Sequence, residues 1–420
     1  MKQDLEKIIM EWWSNPLPIV TERELDLLPY YNLPLKKVTA LVGFRRTGKT
    51  FLFFSVIEKI GKENTVYINF EDERFPNDVK VLTTLLDVIT EFSGSKSYTL
   101  FMDEVQNIDG WEKWARRVTE TTNHKLFVTG SSSKLSSNEL PTELRGRSLT
   151  LDAKPLNFRE FLKFKDVDIK LLPDPKILNY MREYLKFGGF PEITIVDEGK
   201  KTIILDEYYK TFLKRDVIER HKIRNKVVIS QLIKLLLNSP YYTISKLANS
   251  LKSLGYNVSK TTVAKYISYL EESYFMKNLE LHTQNIKKRD KAPKKPYFVD
   301  NFFISRFSNN FSENLGRLME NLVANNIDDC YYWKDYQNHE VDFVVRKLET
   351  VSELIQVTYV SNENEINDRE IRSLLKASVE LKCKNLKIIT WDLEDKIKKE
   401  KITIKLIPLY KFLLNQPVSN

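Results

Sequence analysis

The chain has 420 residues, enough for two to four domains that each bury a core of their own. Hydrophobic residues make up 42% and charged residues 29%, a balance that excludes wholesale disorder. Two isolated cysteines, Cys330 and Cys383, exclude a disulfide framework and a zinc site of ordinary spacing and predict a reducing, cytoplasmic setting. No apolar run approaches the roughly 18 residues of a membrane span, and the charged opening MKQDLEKIIMEWW lacks a signal-peptide core.

After a helix over Asp4–Trp13, apolar strands and helices alternate. Strands are predicted at Val38–Val42, Thr65–Phe70, Tyr98–Met102 and Lys125–Thr129, with a possible fifth at Ser148–Leu151. Helices lie between them at Gly48–Ile60, Asp78–Phe92 and Trp111–Thr121. Short, nearly continuous apolar strands separated by helices indicate an α/β fold whose parallel sheet is covered on both faces.

The first strand runs into GFRRTGKT (Gly43–Thr50), which fills every fixed position of the P-loop pattern GxxxxGK[ST]. Gly43 and Gly48 permit a turn that aims successive N–H groups inward, and the helix that follows adds its positive end. Lys49 should reach the β- and γ-phosphates of a nucleoside triphosphate and Thr50 should offer its hydroxyl to Mg²⁺; Arg46 and Phe51 are counted with them as nucleotide contacts. LFMDEVQ (Leu100–Gln106) is an apolar strand ending in paired carboxylates. Asp103 would hold the metal through water, and Glu104 would orient the attacking water. The extra carboxylate favours hydrolysis, and the absence of an NKxD-type string favours ATP over GTP.

Thr129 and Ser131, at the end of the fourth strand, could sense the γ-phosphate. Ser131–Ser133 could equally cap the next helix. Arg145 and Arg147 in ELRGR are expected to follow on the same rim, where one could act as an arginine finger, from this chain or from another copy in a homo-oligomer, or form a surface ion pair.

From Leu156 to about Asn238 the pattern is helical, at Phe158–Phe164, Pro175–Phe187 and Leu205–Glu219, broken at Gly188-Gly189. A helix-turn-helix signal spans Thr243–Phe275. Ser259 is placed to cap its second helix, and Lys260, Thr261, Thr262, Lys265 and Tyr266 are displayed near that helix's start. A basic loop follows with Lys287, Lys288, Arg289, Lys291, Lys294 and Lys295. The net charge is +9, and Tyr241–Pro296 carries 11 Lys+Arg against 4 Asp+Glu. Such clustering suits phosphate contacts to DNA; a solvated lysine-rich face or a protein-docking module is the competing reading.

Strands return at Tyr297–Val299, Val341–Val345, Leu354–Thr358 and Leu386–Thr390, where Glu320, Glu340 and Asp342 form an acidic constellation. Two-metal nucleases need carboxylates that converge in this way, usually beside a lysine. The positions for the further acid and the lysine hold Gln356 and Thr358, so the expectation is a nuclease-like domain that does not cut.

The chain as a whole resembles the archaeal and bacterial AAA-type P-loop ATPases that join an N-terminal ATPase domain to a C-terminal winged-helix and PD-(D/E)xK nuclease-like region. GFRRTGKT, LFMDEVQNI, VTGSSS, LRGR, PLNFREFL, YLKFGGFPEI, KKPYFVDNFF, ENLVANNI, HEVDFVV and LIQVTY carry the resemblance. It implies an ATPase core over 1–155, a helical lid and linker over 156–238, a winged helix-turn-helix over 239–296 and a restriction-nuclease-like α/β domain over 297–420. It further implies Lys49, Thr50, Asp103 and Glu104 as ATPase residues and Arg147 as the finger, with Glu320, Asp342 and Gln356 as the remnant of a nuclease site. Two other readings stay open: a low-turnover nucleotide switch acting on protein contacts, and a metal-dependent nuclease coupled to ATP.

Overall fold

The computed structural model describes residues 1–93, 96–130, 144–307, 314–399 and 402–417. These fall into two compact units, the first spanning Met1–Lys154 with Glu272–Tyr274 and the second Pro155–Glu271 with Phe275–Pro417.

The first unit is built on five strands, β1 (Val38–Val42), β2 (Thr65–Asn69), β3 (Thr99–Asp103), β4 (Lys125–Gly130) and β5 (Ser148–Asp152). They lie in the order β2-β3-β4-β1-β5, and every pairing is parallel. Because side chains alternate along a strand, each strand feeds two cores. Val38, Ala40 and Val42 face one side with Leu100, Met102, Leu126 and Val128, covered by α1 (Lys2–Ser14), by Leu82, Leu85 and Val88 of the helix Lys80–Ser93 and by Trp111, Trp114 and Val118 of the helix Trp111–Thr121. Leu41, Phe101, Phe127 and Leu151 face the other, against Leu52, Phe53, Val56 and Ile57 of α2 (Lys49–Ile60). Both faces are therefore dry, which is why the strands read as unbroken apolar runs rather than as alternating ones.

The second unit opens with helices that include α3 (Asp174–Phe187) and α4 (Glu198–Thr211). The backbone after α3 has room only for glycine. A Cβ on Gly188, at φ +76°, would lie 1.6 Å from Asp300 Oδ1, and one on Gly189 would lie 2.3 Å from the Leu156 carbonyl oxygen. Asp300 makes use of that closeness, its Oδ2 accepting from the Gly189 N–H at 2.8 Å. The GGFP string is thus explained by packing.

Next come α5 (Ile244–Ser253) and α6 (Lys260–Glu272), followed by an antiparallel pair, β6 (Met276–Leu279) and β7 (Lys295–Phe298). Thr243 caps α5 by accepting from the Lys246 N–H at 3.1 Å, and Ser259 caps α6 by accepting from Thr262 at 3.0 Å. Between β6 and β7 the expected loop contains a short helix, α7 (Ile286–Lys291), capped by Asn285.

The unit ends in α8 (Leu315–Asn325) and a six-stranded sheet, made of β8 (Cys330–Lys334), β9 (Glu340–Lys347), β10 (Thr350–Val357), β11 (Leu386–Thr390), β12 (Asp395–Lys399) and β13 (Ile402–Pro408) in the order β12-β13-β11-β10-β9-β8. Three of these strands were not anticipated from sequence. β12 (DKIKK) buries only Ile397 and reads as a charged linker, because an edge strand needs only one dry face.

Candidate functional site

The P-loop leaves β1 at its carboxyl end, the edge at which open α/β sheets present ligands. Its two glycines are fixed by geometry. Gly43 sits at φ +141° with the Ala153 carbonyl oxygen 2.4 Å from where a Cβ would be, and Gly48, at φ +89°, turns the chain into α2. Arg46 also has positive φ (68°) and is exposed at the turn of the loop. Arg23 braces the loop from behind, donating to the carbonyls of Thr47 at 2.9 Å and Lys154 at 3.0 Å. Nothing in the sequence signals that role, since Arg23 lies before the sheet begins.

Lys49 is buried in the loop, its Nζ donating to the carbonyl oxygens of Gly43 and Phe44 at 3.1 Å each. Thr50, next on α2, donates through Oγ1 to Asp103 Oδ2 at 2.7 Å. Phe51 is exposed on the first turn of α2 and packs edge-on against Phe54.

β4 lies between β1 and β3, and its Thr129 completes the site. The Thr129 hydroxyl donates to Asp103 Oδ1 and accepts from the Glu104 N–H at 2.9 Å. One threonine therefore sets both carboxylate-bearing residues, and Glu104 takes a left-handed backbone at φ 52° to meet it. Tyr67 of β2 donates to Asp103 Oδ2 at 2.9 Å, and Gln106 Nε2 donates to Glu104 Oε2. Burial and the neighbouring Glu104 push the Asp103 carboxyl above its ordinary value, while hydroxyls from Thr129, Thr50 and Tyr67 oppose the shift. A buried carboxylate with a threonine hydroxyl at its side is an all-oxygen donor set of the kind Mg²⁺ prefers, so the residues fit that ion.

The arginines do not share this edge, contrary to expectation. β5 runs parallel to β1 with Ser148 beside Val38 and Asp152 beside Val42. Arg147 therefore lies at the amino end of the sheet, its carbonyl bonded to the Val38 N–H at 2.9 Å, and the P-loop lies at the opposite end. Its guanidinium pairs with Glu120 at 2.9 Å. Five residues of strand separate the two edges, on the order of 16 Å at about 3.3 Å per residue, so Arg147 does not serve the nucleotide site of its own chain. Ser131–Ser133 lie outside the described residues.

In the second unit, Lys260 and Lys265 are exposed on α6, and Lys287, Lys288 and Lys291 are exposed on α7. The rest of the basic segment is committed elsewhere. Lys294 and Arg289 both pair with Glu280, at 3.0 and 3.4 Å. Lys295 is not a solvent-facing loop residue at all: it opens β7, is buried, and pairs with Glu320 at 3.0 Å, Glu340 at 2.9 Å and Asp342 at 2.9 Å. The constellation expected to lack a lysine thus has one, from a strand 47 residues earlier than Asp342. The string KKPYFVDNFF contains it but none of its three partners, because β7 approaches α8 and β9 only in the folded chain. Gln356 is buried beside Asp342, its Oε1 accepting from the Asp342 N–H at 3.3 Å.

A five-stranded parallel sheet with a P-loop after β1 and an acidic pair after β3 defines an AAA-type P-loop ATPase fold. A family model described as an AAA domain matches residues 35–162, and one described as a domain of unknown function (DUF8612) matches residues 178–314. The chain is 38% identical over 418 residues to the uncharacterized protein MJ1544 of Methanocaldococcus jannaschii, covering 93% of this chain and 90% of that one, and it belongs to the same family. An uncharacterized protein of Haemophilus influenzae is 28% identical over 339 residues, covering 78% of this chain and 84% of that one. Among solved structures, the Walker-type ATPase paby2304 of Pyrococcus abyssi matches with a TM-score of 0.45 at 13% identity, covering 73% of this chain and 95% of that one. A match that loose transfers no residue roles.

Proposed function

We propose that the chain hydrolyses ATP with Mg²⁺ and couples the cycle to contacts made by its second unit, with DNA as the polyanionic partner. The observation that carries the ATPase reading is the Thr50–Asp103 hydrogen bond, which brings the P-loop helix and the end of β3 to one point. When bound, Mg²⁺ would neutralise charge developing between the β- and γ-phosphates.

In this reading Gly43, Arg46, Gly48 and the first turn of α2, with Phe51 at its outer edge, form the phosphate cradle. Lys49 exchanges its two carbonyl partners for phosphate oxygens. Thr50 and Asp103 would hold the ion, and Thr129 keeps Asp103 and Glu104 in register. Glu104 then accepts the proton of the attacking water, with Gln106 orienting it. The test is turnover of ATP by the full chain with Mg²⁺, alongside Lys49→Ala and Glu104→Gln. Hydrolysis that survives both changes would remove the assignment.

Partner binding rests on the exposed lysines of α6 and α7. A two-helix element followed by an antiparallel hairpin has the order of a winged helix, and α6 would be its recognition helix. Titration of duplex, single-stranded and branched DNA at several salt concentrations tests this, and salt-independent binding would count against phosphate contact. The alternative, a slow nucleotide switch acting on a protein, would show retained nucleotide and turnover indifferent to DNA. The six-stranded sheet with α8 is read as a nuclease relative that does not cleave, since Gln356 and Thr358 occupy the positions of an acid and a lysine.

A further inference from the structure

We propose that Lys295 is a built-in cation: its ammonium takes the place of a divalent metal where Glu320, Glu340 and Asp342 converge, so the pocket excludes Mg²⁺ and Mn²⁺. This rests on reading the domain as a nuclease relative and supplies a reason for its silence that the substitutions at Gln356 and Thr358 do not.

Three carboxylates from two elements meet at one nitrogen. Glu320 Oε1 of α8, Glu340 Oε1 and Asp342 Oδ1 of β9 lie 2.9–3.0 Å from Lys295 Nζ. An ammonium has three protons to give; Glu320 and Asp342 accept hydrogen bonds from it, and Glu340 stands at ion-pair distance. Other donors hold the same carboxylates: Tyr297 gives its hydroxyl to Glu320 Oε1 at 2.6 Å, Tyr241 gives its own to Glu340, and the Val357 N–H donates to Asp342 Oδ2 at 3.0 Å. The rings of Tyr241 and Tyr332 stand 5.1 and 5.9 Å from the ammonium and close the pocket around it.

Lysine and metal are mutually exclusive at that point. Divalent ions need oxygens at about 2.0–2.6 Å, whereas an ammonium holds them at hydrogen-bond distance. Among the described residues, no three acidic, histidine or cysteine side chains are spaced to hold a metal ion. Charge-assisted hydrogen bonds to Glu320 and Asp342 hold the ammonium at the centre of the cluster. Because Lys295 begins β7 opposite Leu279, the same contact ties the loop end of the β6–β7 hairpin to α8 and β9.

The test is Mn²⁺ uptake by the nucleotide-free full chain, followed by electron paramagnetic resonance, in wild type, Asp342→Asn, Lys295→Ala and the double variant. A Lys49→Ala background separates this site from the P-loop. Wild type should take up no ion that depends on Asp342. Lys295→Ala should gain one equivalent, with at least tenfold tighter binding than wild type, and lose it again when Asp342→Asn is added. Should Lys295→Ala fail to fold alone, Mn²⁺ in the refolding buffer should restore its near-ultraviolet circular dichroism. The proposal is overturned by wild-type uptake that Asp342→Asn abolishes, by a folded Lys295→Ala that binds no better than wild type, or by failure of Mn²⁺ to rescue an unfolded one. DNA cleavage without Mn²⁺ uptake would instead sink only the reading of the domain as catalytically silent.

Discussion

Thr50 Oγ1 donates to Asp103 Oδ2 at 2.7 Å, joining residues 53 positions apart at the carboxyl edge of the sheet. Thr50→Val keeps the shape of the side chain and removes the donor. A hydrogen bond to a charged group contributes roughly 1.5–3 kcal/mol, so kcat/KM for ATP with Mg²⁺ should fall by about 10- to 100-fold, at about 1.4 kcal/mol per tenfold. Steady-state turnover across a Mg²⁺ titration would show it, and an unchanged Mg²⁺ dependence would contradict the role.

Glu104→Gln should separate binding from chemistry. The backbone N–H that Thr129 accepts is untouched by the change, so nucleotide affinity should hold. Turnover should drop by about 10²- to 10⁴-fold, the usual contribution of a positioned general base. Fluorescent-nucleotide binding and phosphate release, measured on one preparation, check both halves.

Arg147→Ala should leave ATP hydrolysis unchanged in chains dilute enough to be monomeric, because Arg147 lies at the other end of the sheet. Its exposed pair with Glu120 contributes about 0–1 kcal/mol to stability. A loss of activity that appears only as concentration rises would show the arginine acting on a neighbouring copy.

Asp300 gives a pH signature. Burial raises its pKa to about 6, against hydrogen bonds from the Gly189 and Phe302 N–H groups that pull it down. Because the folded value exceeds the unfolded one, its contribution to stability is full below about pH 4 and is lost as pH rises through about 6. The loss amounts to roughly 3 kcal/mol at 1.36 kcal/mol per pKa unit. Asp300→Asn removes this titration while forfeiting an acceptor, so the stability of variant minus wild type should rise by that amount between pH 4 and 7 in urea unfolding. A flat difference would rule it out.

Replacing Lys287, Lys288 and Lys291 by Ala should reduce the slope of log K against log salt for duplex DNA by about 0.9 per contact removed. Lys294→Ala should change it less, because that ammonium is already paired with Glu280.

Much of the nucleotide site was legible because it is local. A P-loop is eight consecutive residues whose spacing encodes its turn, and the acidic pair ends a strand whose apolar run announces burial on both faces. Ser259 could likewise be assigned as a cap from its neighbours alone. Tyr67 and Arg23 could not, since each reaches the site through strand order or a loop contact that no short window contains.

The sequence by itself determined the sheet, its P-loop and the carboxylates behind it, because hydrophobic period and turn chemistry are properties of adjacent residues. Tertiary structure alone decided which distant residues share an edge. Parallel register carried Arg147 to the end of the sheet away from the P-loop. The fold also buried Lys295, which reads as one more lysine in a basic run, against three carboxylates. Charge in a sequence has no direction; burial and partner distance give it one.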